Sequence, residues 1–284
     1  MIAKIWIILV PSVALLALPS TTWPRELIFK NRGKLIKTLS SEQLEKIIPA
    51  KTVKVFDQNE LENRKYNGFP VNDLFTAVYG ENWKDAEEIL FTCSDGYQPS
   101  IPSIRFKKYP SYLVYASPDK KEFTLLNKLQ NNELVGLGPF YLVWDNLKHP
   151  ELKAEGESDW PYQVITIDLI SFSDRFPNMA PPKESSEDIK SGFLSFRKYC
   201  MPCHTINGEG GGKAVELNYP VRVTEYLKEP WLIRWIDNPT SIRYHTTIPA
   251  LNPNAKDRET IIRNIIAYLK AMKNNKRKLQ QVNP

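Results

Sequence analysis

The sequence predicts an α+β protein of two domains, in which a strand-rich mixed domain precedes an all-α domain. Three observations predict it. Runs rich in β-branched and aromatic residues lie between residues 51 and 172, a polar segment with three prolines follows at 175–188, and helical patterns begin at Ser186. We therefore expect the first domain at 27–175, a linker at 176–186, the second domain at 187–276 and a basic tail at 277–284.

Five runs predict the strands of the first domain. They are KTVKVFDQ (51–58), EILFTCSD (88–95), SYLVYAS (111–117), PFYLVWD (139–145) and YQVITIDLISF (162–172). The last run alternates over residues 164–169, which predicts a half-buried strand. Two short helices are expected between the runs: SSEQLEKII (40–48), capped by Ser40 or Ser41, and PVNDLFTAVYG (70–80), ended by Gly80.

Three helical patterns define the second domain. SSEDIKSGFLSFRKYC (185–200) has a serine cap and acidic residues in its first turn, and EPWLIRWIDNP (229–239) has a proline near each end. The third, KDRETIIRNIIAYLKAMKNNKRK (256–278), has a cationic C-terminal end. Its apolar residues fall on one helical face: Ile261, Ile265, Tyr268, Leu269 and Met272.

The N-terminus has the pattern of a secretory signal peptide. Lys4 supplies a positive start, Ile5 to Leu18 forms an apolar stretch, and small residues follow near Ser20. The apolar stretch is short for a membrane span, which needs about 20 residues. We expect a signal peptide at 1–20 and a periplasmic location in a bacterium. Because the sequence has no clear cleavage motif, the alternative of an uncleaved leader that anchors the chain in the membrane stays open.

Cys200-Met201-Pro202-Cys203-His204 is the most informative motif. Two thiols three residues apart can each form a thioether to one vinyl group of the same haem, and the next histidine is then held beneath the iron. The alternatives are a zinc site, which needs two further ligands, a redox dithiol, which normally opens a helix, and chance. We expect one covalent haem c, with Cys200 and Cys203 as its attachment points and His204 as the proximal iron ligand.

The flanking residues extend this interpretation. SGFLSFRKYCMPCHTINGEGGG, followed by the C-terminal IIRNIIAYLKAMK, resembles the class I cytochromes c over residues 186–275. The resemblance implies that the first and last helices cross, with Gly192 and Phe193 against Tyr268 and Leu269. It also implies that the glycine-rich loop packs against the haem edge. The function it implies is single-electron transfer by a monohaem cytochrome, an electron carrier more than a catalyst.

Two departures from that family concern the haem ligands. Ile248 stands where the family has a distal methionine, and Lys213-Ala214-Val215 replaces a Gly-Pro segment whose proline carbonyl orients the proximal histidine. Val215 still supplies a carbonyl. Three outcomes stay open for the sixth position of the iron: His245 as a distal ligand, an open site that admits small ligands, or a group from outside the chain.

The first domain contains KYNGFPVNDLFTAVYG, EILFTCSDGYQPSIP, GPFYLVWDN and WPYQVITIDLI, in that order. Over residues 50–172 these motifs resemble the molybdopterin-binding domain of the sulfite oxidase superfamily. The resemblance makes Cys93 the candidate molybdenum ligand. Arg105 and Lys107 are the obvious basic candidates nearby, whereas active members use several Arg, Lys and His residues. We therefore interpret the domain as degenerate, expect no molybdopterin, and regard Cys93 as a buried thiol.

The second half of the chain is basic, which bears on its partners. The net charge is +6, and residues 185–284 hold 16 Lys and Arg against 9 Asp and Glu. We expect an acidic redox protein or a respiratory electron-transfer partner. No nucleic-acid partner is expected, because no basic patch is interleaved with stacking aromatics.

Two alternative functions remain: a molybdenum-dependent oxidoreductase that passes electrons to its own haem, and a haem-based sensor with an open distal site.

Overall fold

A computed structural model describes residues 26–277 of the 284-residue chain. The predicted signal peptide and most of the predicted basic tail lie outside the described residues. Within 26–277, no helix has both the length and the apolar character needed to cross a membrane. Below, residues 26–175 are called the first region and residues 187–275 the second region.

A five-stranded sheet in the order β2-β1-β11-β5-β6 forms one layer of the first region. Its strands are β1 (Glu26–Asn31), β2 (Lys34–Ser40), β5 (Glu88–Cys93), β6 (Ser100–Pro102) and β11 (Val164–Ile170). Strands β1 and β11 are parallel, and the other pairs are antiparallel. The prediction that β11 is half-buried was wrong. It lies inside the sheet between β1 and β5, and six of its seven residues are buried.

A four-stranded antiparallel sheet, in the order β10-β7-β4-β3, forms the second layer. Its strands are β3 (Lys51–Asp57), β4 (Glu62–Pro70), β7 (Ser111–Ala116) and β10 (Tyr141–Trp144), and a separate hairpin pairs β8 (Thr124–Asn127) with β9 (Glu133–Gly136). A Cβ at Gly68 would lie 2.4 Å from Val114 Cα, so β4 and β7 approach closely because that residue is glycine. The sheets enclose an aromatic core that includes Tyr66, Phe91, Trp144 and Tyr141.

The short helices of the first region are α1 (Ser41–Ile47), α2 (Val71–Tyr79), α3 (Ser103–Lys108) and α4 (Phe172–Arg175), with 3-10 helices at Gly80–Asp85 and Pro150–Glu155. Ser40 is the cap of α1, where its hydroxyl accepts from Gln43 N and Gln43 Oε1 accepts from Ser40 N. Gly80 ends α2 with a positive φ of 68°. Both predicted helices of this region are therefore confirmed.

The second region contains four α-helices and a small hairpin. They are α5 (Glu187–Tyr199), β12 (Thr205–Ile206), β13 (Glu209–Gly210), α6 (Val223–Tyr226), α7 (Glu229–Asp237) and α8 (Arg258–Ala271), with 3-10 helices at Pro239–Ser241 and Met272–Asn275. Helices α5 and α8 cross where a Cβ at Gly192 would lie 1.9 Å from Asn264 O. The rings of Phe193 and Tyr268 are 5.4 Å apart, and Leu269 is buried in the same core. The predicted contact of Gly192 and Phe193 with the last helix is confirmed at Tyr268.

The prediction of a separate all-α second domain was wrong. The region contains β12, β13 and a parallel bridge between Thr205 and Glu216, and its helices are separated by irregular segments. The hairpin forms because Asn207 and Gly208 both adopt positive φ, as a two-residue hairpin turn requires. Residues of the first region, Leu90 and Ile170 among them, also belong to the core of the second. The protein is a strand-rich α+β fold with several sheets and helices along its length.

Candidate functional site

The Cys-x-x-Cys-His motif forms a tight turn at the C-terminal end of α5. Cys200 is the C-cap residue that follows α5, and its carbonyl accepts from Cys203 N at 3.1 Å and His204 N at 2.9 Å. Because this turn continues the helix, Cys200, Cys203 and His204 all line one cavity of about 420 Å³. The structure thus brings together the three residues that the motif predicted.

His204 is oriented by the backbone. Its Nδ1 lies 2.8 Å from Val215 O, and since a carbonyl can only accept, Nδ1 carries the proton and donates. In a neutral ring, Nε2 then keeps its lone pair for a metal. Burial lowers the pKa of His204, although the bond to Val215 opposes that shift. The neutral imidazole that ligation requires is therefore the favoured form.

The two cysteines of the motif are free thiols. Burial raises the pKa of Cys200 to about 12 and that of Cys203 to about 11. Reactive dithiols have lowered pKa values, because the thiolate is the nucleophile. The raised values therefore count against a redox dithiol. Within residues 26–277, no group of three or more His, Cys, Asp or Glu is arranged to hold a metal ion.

The glycine run after the motif packs against the motif itself. A Cβ at Gly211 would lie 1.9 Å from Pro202 O, and a Cβ at Gly210 would lie 2.4 Å from His204 O. Side chains at these two positions would push the loop away from the turn. The resemblance implied that this loop meets the haem edge, whereas here its glycines allow close approach to the backbone of the cysteine motif.

The first region supplies another part of the cavity wall. Tyr97, Trp160 and Tyr162 are among its lining residues. The turn at 94–98 holds the two regions together, since Gln98 N donates to Pro202 O at 2.7 Å and Gly212 N donates to Gly96 O at 2.9 Å. Residues of both regions therefore form the cavity. The sequence analysis had treated the two domains separately and did not predict a shared site.

The last wall comes from residues 247–252, which include Ile248 and Leu251. Ile248, which stands in the place of the family's methionine, lines the cavity with a side chain that cannot ligate iron. His245 is exposed and is not among the lining residues. Its Nδ1 accepts from Asn131 Nδ2 at 2.9 Å, and its ring lies 3.9 Å from that of Tyr244. The structure therefore does not bring His245 to His204, and its role as distal ligand stays a prediction.

Cys93 lies at the end of β5, is 2% exposed and does not line this cavity. Burial raises the pKa of its thiol well above the ordinary value, so the thiolate that binds a metal is disfavoured. Arg105 is already paired with Glu155 and Asp159. The structure thus gives Cys93 the surroundings of a core thiol. Lys213 lowers its pKa in part, but Lys213 is itself paired with Asp95.

Glu216 is a site residue that the sequence reasoning missed. Its Oε1 accepts from Asn207 N at 2.9 Å and Asn218 N at 2.8 Å, and its Oε2 accepts from Gly208 N at 2.8 Å. A lone glutamate in a loop carries no sequence signal for this role. The adjacent Asn-Gly pair at 207–208 does predict a tight hairpin, and that turn is what presents the amides to the carboxylate.

The donor set fits a covalently held haem. Two thiols and a neutral, oriented imidazole line one cavity, and its volume lies within the range of about 300–1,000 Å³ typical of cofactor sites. Most of its lining surface is contributed by aromatic and aliphatic side chains such as Trp160, Trp235 and Leu251. No protein-family model matches the chain, and a search of curated proteins finds no match. The functional argument therefore rests on the site.

Proposed function

We propose that the protein is an exported single-electron carrier that holds one haem c through Cys200 and Cys203, with His204 as the proximal ligand. One observation carries the proposal: both thiols and an imidazole oriented by Val215 line the same cavity. When bound, the haem would supply reversible one-electron exchange at its iron. The chain would bind it, orient the ligand and exclude water.

The chemistry of attachment balances without an oxidant. Each thioether would form by addition of a cysteine S–H across one vinyl group of the haem, with sulfur bonding to one carbon and hydrogen to the other, so no atom is lost and no oxidant is needed. Burial raises the pKa values of Cys200 and Cys203, so both are protonated thiols before attachment. Tyr97 and Trp160 from the first region also line the cavity, so their rings would contribute apolar surface around the group.

Covalent attachment is tested by producing the full chain in a bacterium that attaches haem c to exported proteins. We expect the wild type to keep its haem through denaturation and to gain the mass of one haem. Cys200→Ala and Cys203→Ala should each lose at least one thioether. Cys93→Ala is the matched control and should keep the full complement. Wild type with no covalent haem, or loss of haem in Cys93→Ala alone, would overturn the proposal.

A redox partner with an acidic face follows from the charge of the second half of the chain. Residues 185–284 hold 16 Lys and Arg against 9 Asp and Glu, so electrostatic attraction should accelerate encounter. Electron-transfer rates with an acidic redox protein should fall steeply with ionic strength. Rates that do not change with salt would refute this partner class. A respiratory setting and membrane association through an uncleaved leader remain proposals of the same kind.

A second candidate function is the binding of small ligands at an open sixth position. The observation that favours it is that Ile248 lines the cavity while His245 bonds to Asn131 outside it. Reduced protein without added ligand should then show a five-coordinate, high-spin spectrum that His245→Ala leaves unchanged. It should bind CO without first losing another ligand. A low-spin wild type that becomes high-spin in His245→Ala would instead identify His245 as the distal ligand.

A further inference from the structure

Glu216 makes an unusually complete set of hydrogen bonds for a loop carboxylate. Besides Asn207, Gly208 and Asn218, its Oε1 accepts from Tyr219 N at 3.2 Å, so four backbone amides converge on one side chain. Hydrogen bonds to an ionised acceptor are stronger than neutral ones. The carboxylate therefore ties the hairpin turn at 207–208 to the segment at 216–219.

Backbone hydrogen bonds anchor the segment that carries the Val215 carbonyl on both sides of Val215. Ala214 N donates to Cys203 O at 2.8 Å, and Leu217 N donates to Thr205 O at 3.0 Å. Val215 itself is 65% exposed, so side-chain packing does little to fix it. Its carbonyl is held because the residues on both sides are tied to the chain that follows the cysteine motif.

The local sequence offers no stiffer alternative. Lys213-Ala214-Val215 contains no proline, so each residue keeps two soft backbone dihedrals. Moving Glu216 would break four amide contacts at once. The carboxylate therefore provides the rigidity at the carbonyl that orients His204.

We propose that Glu216 is a positioning residue for the proximal histidine, acting through the Val215 carbonyl; this inference rests on the proposed haem ligation by His204. A fixed acceptor at Nδ1 keeps the ring in one tautomer and orientation and raises the basicity of the ligating nitrogen. A loosened carbonyl would let the ring rotate, weaken that bond and favour reduced iron.

The test compares Glu216→Ala and Glu216→Gln with the matched control Glu209→Gln in the full haem-loaded chain. Glu209 is a carboxylate of the same hairpin, but it accepts from Asn178 N and Asn178 Nδ2 instead of tying the 214–219 segment. Three readouts are needed: covalent haem content, the reduction potential, and the exchange rate of the His204 Nδ1 proton measured by NMR.

We expect Glu216→Ala to keep covalent haem, raise the potential and speed Nδ1–H exchange about tenfold, the factor for one lost hydrogen bond. Glu216→Gln can keep the three bonds to Oε1 and should fall between wild type and Glu216→Ala, and it serves if Glu216→Ala does not fold. Glu209→Gln should leave exchange unchanged. Equal exchange in wild type and both Glu216 variants would overturn the inference alone, whereas a wild type without covalent haem would overturn the proposed function.

Discussion

Asp57 and Glu216 are two carboxylates that each accept four hydrogen bonds, but they serve different parts of the molecule. Asp57 accepts from Asn59 N and Glu60 N, both at 2.9 Å, and from the hydroxyls of Tyr66 at 2.8 Å and Tyr141 at 3.0 Å. It is completely buried in the first region. Glu216 accepts from four backbone amides within nine residues, at the edge of the candidate site.

The difference lies in the reach of the donors. Tyr141 belongs to β10 and Tyr66 to β4, so Asp57, at the end of β3, connects three strands of one sheet. Glu216 closes a local loop and positions one carbonyl. Removing the first should therefore affect the whole fold, and removing the second should affect mainly a ligand. The same chemical device stabilises globally or locally according to how far apart in sequence its donors are.

The largest expected effect is that of Asp57→Ala on stability. The change leaves two backbone amides and two phenol hydroxyls without their acceptor in a dry core, and an unsatisfied buried group costs about 1–3 kcal/mol. We expect a loss of about 4 kcal/mol in the free energy of unfolding, against about 1 kcal/mol for Glu216→Ala. Urea denaturation of both variants measures it. Equal losses of unfolding free energy in the two variants would mean that Asp57 and Glu216 do not differ as global and local stabilising residues.

The pH dependence of stability should distinguish the two carboxylates next. Burial raises the pKa of Asp57, despite hydrogen bonds that lower it. The folded state then holds the proton more tightly than the unfolded state, so this group's contribution to stability falls as pH rises from the ordinary aspartate range through the raised pKa. Asp57→Asn should remove that part of the slope, which begins at the ordinary aspartate pKa of about 4 and extends upward in pH.

The control for this measurement is Asp73→Asn. Asp73 is 56% exposed, so Asp73→Asn removes a carboxylate without disturbing the buried network. A slope that is identical in wild type and Asp57→Asn would contradict the raised pKa of Asp57.

Elements with a strong local pattern were predicted well. The five apolar runs became β3, β5, β7, β10 and β11, and the capped patterns became α1, α2, α5, α7 and α8. Strands β1, β2, β4, β6, β8 and β9 were missed. Strand β2 is an edge strand whose Leu35 and Ile36 are 64% and 48% exposed, so burial imposes no alternation on it. Two-residue strands such as β12 are too short for any periodicity, and only Asn207-Gly208 signals their turn.

The candidate site divides in the same way. Cys200, Cys203 and His204 are neighbours in sequence, so one helical turn suffices to place them on one cavity. Tyr97 and Trp160 line it from the first region, although they lie 106 and 43 residues before Cys203 in the sequence, and no local pattern encodes that contact. The failure of an all-α second domain has a different origin, because β12 and β13 are two-residue strands, too short to show a periodicity.

The smallest expected effect concerns the ion pair between the regions. Lys213 Nζ lies 2.7 Å from Asp95 Oδ2, and the two side chains are 31% and 23% exposed. Partly exposed pairs contribute about 0–1 kcal/mol and weaken with salt. A double-mutant cycle with Asp95→Asn and Lys213→Met should therefore give a coupling energy below about 1 kcal/mol.

The helical pair Glu187–Lys190, at 2.8 Å and more exposed, is the reference for a pair within one element. If both cycles give similar values, the regions are held together by the backbone bonds of Gln98 and Gly212 and by their shared core, since those survive both substitutions. A coupling energy well above that of the helical pair would mean that the Lys213–Asp95 pair, like Asp57, contributes to the stability of the whole fold. Its strength would then depend on donors in two regions, which is the feature that separates global from local effects throughout this protein.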